Sequence, residues 1–271
     1  MPELRSVVCV KVVPKPEEVR VDPHTRLLDR LNARSEINPP DMNALEMALS
    51  LKDRYGGSIS LLSMGPVSCE PTLRVGLAMG CDHIYLLSDR AFAGADTLAT
   101  TYTLAKAVNR LGGADLVFCG EESSDGATGQ VPSGLAEWLD IAQLTLLTEI
   151  DVDLERKTAR GRREIKGGYE ILEVPLPCVV SVKTAANEPR FMDYRIKDWA
   201  FEPREEGKPG RVTTWSADDL EADPQCIGLT GSPTWVSELV QAPSRHRKHI
   251  FVGGSSAEIA VQLAKLIKDN L

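Results

Sequence analysis

The run ADLVFCG (Ala114–Gly120) and, after two glutamates, SSDGATGQVPSGLA (Ser123–Ala136) carry the decision about the fold. The first is apolar and has the length of a buried strand. In the second, ten of fourteen residues are Ser, Gly, Asp, Ala or Thr, and the pattern then turns helical at SGLAEWLD. Strand, small-residue loop and helix suit phosphate or ribose binding. Small residues let main-chain N–H groups approach an anion, and a helix N-terminus adds partial positive charge. Asp125 can accept from ribose hydroxyls or shape the loop. Thr128, Gly129, Gln130 and Val131 offer donors. The same pattern also reads as a plain helix N-cap behind a flexible loop, because neither Gly-x-x-x-x-Gly-Lys nor Gly-x-Gly-x-x-Gly is present.

Working outward, VVCVKVV (Val7–Val13), SISLLSM (Ser58–Met64) and HIYLLS (His83–Ser88) read as further buried strands. Helical patterns separate most of them. DMNALEMALSLKDRYGG places Leu45, Ala48, Leu49 and Lys52 on one side, with Asp41 as N-cap and Gly56–Gly57 as the stop. CEPTLRVGLAMG ends at Gly80, and DTLATTYTLAKAVNRLGG runs from a capping Asp96 to a Gly-Gly stop. Alternating strands and helices predict a parallel sheet covered on both faces, with any ligand beyond the carboxyl ends of the strands. From Thr148 the alternation of TEIDVDLE, ARGRREI and GYEILEV predicts an antiparallel meander (148–175), followed by a buried strand at PCVVSVKT. FEPREEGKPGRV reads as an extended arm or linker. HIFVGGSSAEIAVQLAKLIKDNL reads as a short strand and an amphipathic helix, with Ser255 or Ser256 as N-cap and Glu258 as its capping-box partner. VGGSSAEIA is a weaker rival for the ligand loop.

With 271 residues and a formal charge of −8, the chain is long enough for a sizeable core and lacks the basic footprint of nonspecific nucleic-acid binding. No run approaches the roughly 18–20 apolar residues of a membrane span. The N-terminus lacks a signal peptide's pattern, so it reads as the first strand of a cytoplasmic protein. The six cysteines have no metal-ligand spacing, and Cys9, Cys119 and Cys178 fall in apolar strands as small core residues. His24, His83, His246 and His249 accompany no nucleophile, so no catalytic or metal-binding set is expected.

Several segments together carry a resemblance. They are VCVKVVP, INPPDMNALEMALSLKD, MGP followed by LRVGLAMGCD, DGATGQV, REIKGGYE, LPCVVSV and NEPR. In this order, over about residues 5–205, the chain resembles the β subunit of electron transfer flavoprotein. The resemblance implies an α/β, parallel-sheet adenine-nucleotide-binding fold (Rossmann-like, adenine nucleotide alpha hydrolase-like), with the antiparallel meander and an extended C-terminal arm. It implies a heterodimer with a larger α subunit that carries the redox-active FAD. The β subunit holds a second nucleotide. In simple members this is AMP with a structural role; in electron-bifurcating members it is a second FAD that takes electrons from NADH.

Carried onto this chain, the pocket takes in Cys9, Val10, Lys11, Asn38, Met64, Gly65, Asp96 and Thr97, and the loop residues Asp125, Gly126, Thr128, Gly129, Gln130 and Val131. Asp-Gly-x-Thr-x-Gln-Val is similar to the bifurcating form, and Gly126 and Val131 favour FAD. A diphosphate is more anionic than one phosphate, so a loop with fewer carboxylates suits it. Pro132–Ser133 replaces the usual Gly-Pro. The resemblance places a partner-recognition loop at RFMDYRIKDWA, with Arg190, Phe191, Met192, Tyr194 and Ile196 facing the partner; the family's lysine run after it is missing. The implied partners are the α subunit, an acyl-CoA dehydrogenase or similar flavoprotein dehydrogenase, and, in a bifurcating member, ferredoxin or flavodoxin. The expected division is 1–190 for the nucleotide-binding domain and 191–271 for the loop, arm and terminal helix.

Two other classes compete. A stand-alone ATP-binding signalling module of similar fold needs a Gly-rich pattern near its last helix, which DGATGQV does not reproduce. An ATP-pyrophosphatase-type enzyme needs Ser-Gly-Gly-x-Asp-Ser after the first strand, where this chain has KVVPKPEEV.

Overall fold

The computed structural model describes residues 3–15, 20–21, 28–29, 34–202, 211–235 and 250–269. His24, the basic run at 244–249 and most of the charged arm (203–210) lie outside the described residues. The chain divides into two units, Met1–Val236 and Ser237–Leu271.

The first unit begins with β1 (Arg5–Cys9), β2 (Val12–Pro14), β3 (Arg20–Val21), β4 (Leu28–Asp29) and β5 (Ser35–Ile37). Helix α1 (Pro39–Tyr55), β6 (Ser58–Met64), α2 (Glu70–Met79), β7 (His83–Leu87), α3 (Thr97–Arg110), β8 (Leu116–Gly120) and α4 (Val131–Leu139) follow. The chain continues through β9 (Ala142–Asp153), β10 (Thr158–Ile165), β11 (Gly168–Pro175), β12 (Cys178–Val182), α5 (Tyr194–Phe201) and β13 (Val212–Trp215). The second unit contains α6 (Ser256–Lys268), opened by the expected capping box: the Ser255 N–H donates to Glu258 at 2.8 Å.

One nine-stranded sheet, in the order β11-β10-β9-β12-β8-β1-β6-β7-β13, organises the first unit. From β9 to β13 every neighbouring pair is parallel; β10 and β11 close the other edge antiparallel. The central strands read as unbroken apolar runs because both faces are covered. Side-chain alternation sends Val8, Leu61, Phe118 and Val180 into a core with α1 and α2. It sends Val7, Leu62, Val117 and Val179 into a second core with α3 and α4. Strand order reverses beside β1, which leads to β6 on one side and pairs with β8 on the other. In such sheets that reversal opens a crevice at the carboxyl ends.

Several expectations shift. The run Val7–Val13 is two strands: β1 stops at Cys9, and β2 pairs antiparallel with β5 in a separate ribbon. The Lys11 N–H donates to the Asp41 side chain at 2.7 Å, so the sheet ladder cannot continue through it. Asp41 is not the N-cap of α1; Asn38 holds that position, and Asp41 is buried inside the first turn. β9 starts at Ala142, ahead of the meander expected from Thr148, because its first half pairs parallel with β12. Ile250–Gly253 form no strand. β13 extends the main sheet, with Val212 beside Ile84 and Trp215 beside Leu87. Leu220 and Ile227 are buried in the second core.

Candidate functional site

A cavity of about 510 Å³ opens at the carboxyl ends of β1, β6 and β8, where the strand order reverses. Its floor is Cys9 and Val10 after β1, Met64 on β6, and Cys119 and Gly120 on β8. One wall is the first turn of α3, with Asp96, Thr97 and Thr100. The opposite wall is the small-residue loop and the start of α4, with Gly126, Thr128, Gly129 and Val131. Thr234 and Trp235 stand at the rim.

The two helix N-termini on this cavity differ. The Asp96 carboxylate caps α3, accepting from the N–H groups of Leu98 at 2.9 Å and Ala99 at 3.1 Å. It also accepts from the Thr234 hydroxyl at 2.7 Å. Burial pushes the Asp96 carboxyl up, but the hydrogen bonds from Thr234 and the helix amides outweigh it and hold it below the usual range. Helix α4 has no side-chain cap. Its first-turn amides therefore need another acceptor, which an anion in the cavity would provide.

The loop owes its shape to the first turn of α1. The Asn38 side chain donates to the Glu122 carbonyl at 2.9 Å and accepts from the Ser124 N–H at 3.0 Å. The Lys11 ammonium pairs with Asp125 at 2.6 Å. Asp41 accepts from the Gly120 N–H at 3.2 Å in addition to Lys11. Its carboxyl is raised to about 7 by burial, which these hydrogen bonds only partly offset. The backbone then passes through left-handed conformations at Ala127 and Gly129, with φ of 47° and 62°.

Ten of the residues expected at the pocket therefore line one cavity: Cys9, Val10, Lys11, Met64, Asp96, Thr97, Gly126, Thr128, Gly129 and Val131. The others stand behind it or beside it. Asn38 is fully buried and its side chain is bound to the loop main chain. Asp125 is engaged by Lys11. Gln130 is the N-cap of α4, and Gly65 continues the sheet through its N–H to the Leu87 carbonyl. Sequence reasoning missed the cavity-lining role of Asp41, Thr100, Thr234 and Trp235. Asp41 carried a signal, being a carboxylate on the otherwise apolar start of a core helix. Thr234 and Trp235 lie more than a hundred residues from the loop and carried none.

Residues 25–220 match the electron transfer flavoprotein domain. The chain is 40% identical over 250 residues to the electron transfer flavoprotein subunit beta of Thermoanaerobacterium thermosaccharolyticum, covering 92% of this chain and 93% of the relative. It is 38% identical over 269 residues to the caffeyl-CoA reductase-Etf complex subunit CarD of Acetobacterium woodii, covering 98% and 99%. It is 39% identical over 266 residues to Protein FixA of Bradyrhizobium diazoefficiens, covering 96% and 89%. The chain belongs to the electron transfer flavoprotein β-subunit family. Membership makes electron transfer its function, a flavin the group involved and an α subunit its neighbour. No helix among the described residues is long and apolar enough to cross a membrane.

In the segment expected as a partner-recognition loop, RFMDYRIKDWA, the residues from Tyr194 onward form α5, and Arg190 to Asp193 precede it as irregular chain. Phe191 and Tyr194 are 94% and 76% exposed, whereas Met192 packs against the core and Ile196 is half-buried. The Arg190 guanidinium is turned inward. It binds Glu46 of α1 through Nε and Nη2, both at 2.9 Å, and Asp53 at 2.8 Å.

Proposed function

We propose that this electron transfer flavoprotein β subunit holds FAD with its phosphates on the 121–131 loop, and that the heterodimer is of the electron-bifurcating kind. The observation that supports a nucleotide phosphate there is the uncapped N-terminus of α4 on the cavity, and the Asp-Gly-x-Thr-x-Gln-Val form of the loop favours FAD over AMP. The residues present fit a nucleotide. A cavity of about 510 Å³ falls within the roughly 300–1,000 Å³ of cofactor sites. Gly126 and Gly129 keep side chains away from the approaching anion. Lys11 neutralises Asp125, and the N–H groups of α4 add positive potential. Bound there, FAD supplies hydride acceptance from NADH and electron delivery toward the α-subunit FAD. The chain supplies placement and electrostatics, with no bond-making side chain.

Phe191 and Tyr194 form the surface offered to a dehydrogenase partner. The caffeyl-CoA reductase complex of the CarD relative supports a flavoprotein dehydrogenase that handles CoA thioesters, such as an acyl-CoA dehydrogenase. Ferredoxin or flavodoxin is the low-potential acceptor in this reading, and the cytoplasm is its location. The second reading, a non-bifurcating subunit with structural AMP, uses the same loop.

Counting cofactors on the purified heterodimer after FAD addition separates the two. Two flavins per heterodimer are expected, and one flavin with one AMP rejects the bifurcating reading. Asp125→Ala should empty the β-subunit pocket and leave the α-subunit flavin in place. Equal loss of both would contradict this division.

A further inference from the structure

We infer that Asp41 is a positioning residue of the nucleotide site, fixing the 121–130 loop in the shape that receives phosphate. The inference rests on the cavity being a nucleotide site.

A carboxylate in the first turn of a helix ordinarily sits at the surface and complements the helix dipole. Asp41 is instead buried, with main-chain N–H groups on both oxygens. The donors are Lys11, just beyond β1, and Gly120, the last residue of β8. Each leads into the loop by its own route. Gly120 is the main-chain origin of the loop. Lys11 reaches across it, with Nζ 2.6 Å from Asp125. One carboxylate thus sets the position of both supports, and Asn38 adds a third hold at Glu122 and Ser124. Gly120 shows how closely this junction is packed, since a Cβ there would meet the Asp41 carboxylate first. A Cβ there would lie 2.7 Å from the Pro40 carbonyl carbon and 2.8 Å from the Asp41 nitrogen. The start of α1, with the Asp41 carboxylate at its face, is therefore pressed against the end of β8. Retaining a buried carboxylate at such a junction is costly unless its hydrogen bonds are needed there.

The test uses the full chain in its heterodimer, stripped of nucleotide, as wild type, Asp41→Asn and Asp41→Leu. Affinities for AMP and for adenosine are measured by calorimetry, with thermal unfolding alongside. AMP affinity should fall about tenfold or more in Asp41→Leu, the loss of one to two buried hydrogen bonds that hold the loop's supports. Adenosine, which has no phosphate, should bind within about twofold of wild type. Asp41→Asn keeps one acceptor and should recover part of the AMP affinity. Equal losses for both ligands would mean a general structural defect and overturn the inference, as would unchanged AMP affinity. If wild type binds neither ligand, the nucleotide reading fails with it; if wild type binds AMP and the folded variants bind it equally well, only the role of Asp41 fails. Should neither variant fold, hydrogen exchange on wild type decides. Protection of the Lys11 and Gly120 amides should rise with AMP and not with adenosine, and unchanged protection overturns the inference.

Discussion

Replacing Arg190 by Ala separates two roles for a residue that the family resemblance assigns to partner recognition. In the structure its guanidinium faces α1. It meets Glu46, which is 8% exposed, and the more exposed Asp53. Removing it leaves the Glu46 carboxylate with the Arg190 N–H at 2.9 Å and the Ser50 hydroxyl at 3.1 Å, and without a counter-charge. Stranding one member of a fully buried ion pair costs about 3–5 kcal/mol. The Arg190 side chain is 33% exposed, so solvent screening brings the expected loss to about 2–3 kcal/mol. For a domain of this size that corresponds to a fall of roughly 5–10 °C in Tm. Urea unfolding of Arg190→Ala, Glu46→Gln and the double variant measures it. The double variant should recover about 1 kcal/mol or more, because the neutral amide that replaces the Glu46 carboxylate needs no counter-charge. Hydrogen exchange should quicken across 187–201, the segment that Arg190 tethers. A loss below about 0.5 kcal/mol, with unchanged exchange and weakened electron transfer to a dehydrogenase, would refute the tether and restore Arg190 to the partner surface.

Gly120→Ala should destabilise the protein by about 1–3 kcal/mol through overpacking and release the β-subunit nucleotide; a variant of wild-type stability with full nucleotide would show that α1 is not seated on β8. The Asp41 carboxyl, raised to about 7 by burial, holds in the folded state a proton that the unfolded chain releases near pH 4. Its contribution is therefore full below that pH and is lost as pH rises toward 7. Stability measured across this window should lose that slope in Asp41→Asn, and parallel slopes in the two proteins would contradict the burial. Among the thiols, Cys226 and Cys69 are partly exposed, and burial pushes Cys81 and Cys178 up to about 12. Cys226 should react first with a thiol reagent, then Cys69, whose thiol burial also raises, with Cys81 and Cys178 reacting only on unfolding; early loss of Cys81 or Cys178 by mass spectrometry would go against the packing.

The buried strands and amphipathic helices were legible because periodicity reports burial directly. Val7–Cys9, Ser58–Met64 and Leu116–Gly120 are apolar on both faces, and α3 shows its N-cap Asp96 in the sequence. The small-residue loop was legible for the same local reason, since Gly126 and Gly129 state where backbone must lie bare. The break after Cys9 was not. Val12 and Val13 are as β-prone as Val7 and Val8, and only the long-range bond from the Lys11 N–H to Asp41 diverts the chain. The inward turn of Arg190 was equally hidden, because its acceptor lies 144 residues away on α1.

By itself, then, the order of residues determined the central strands and helices, the α/β class and the identity of the loop that meets the cavity, all consequences of contacts between near neighbours in the chain. The tertiary structure alone decided the strand order, the addition of β13 to the far edge, the closing of the cavity rim by Thr234 and Trp235, and the conversion of Asp41 from an expected cap into a buried support. Those features depend on hydrogen bonds and packing between segments far apart in sequence, and no local pattern encodes which distant donor will reach a given carboxylate.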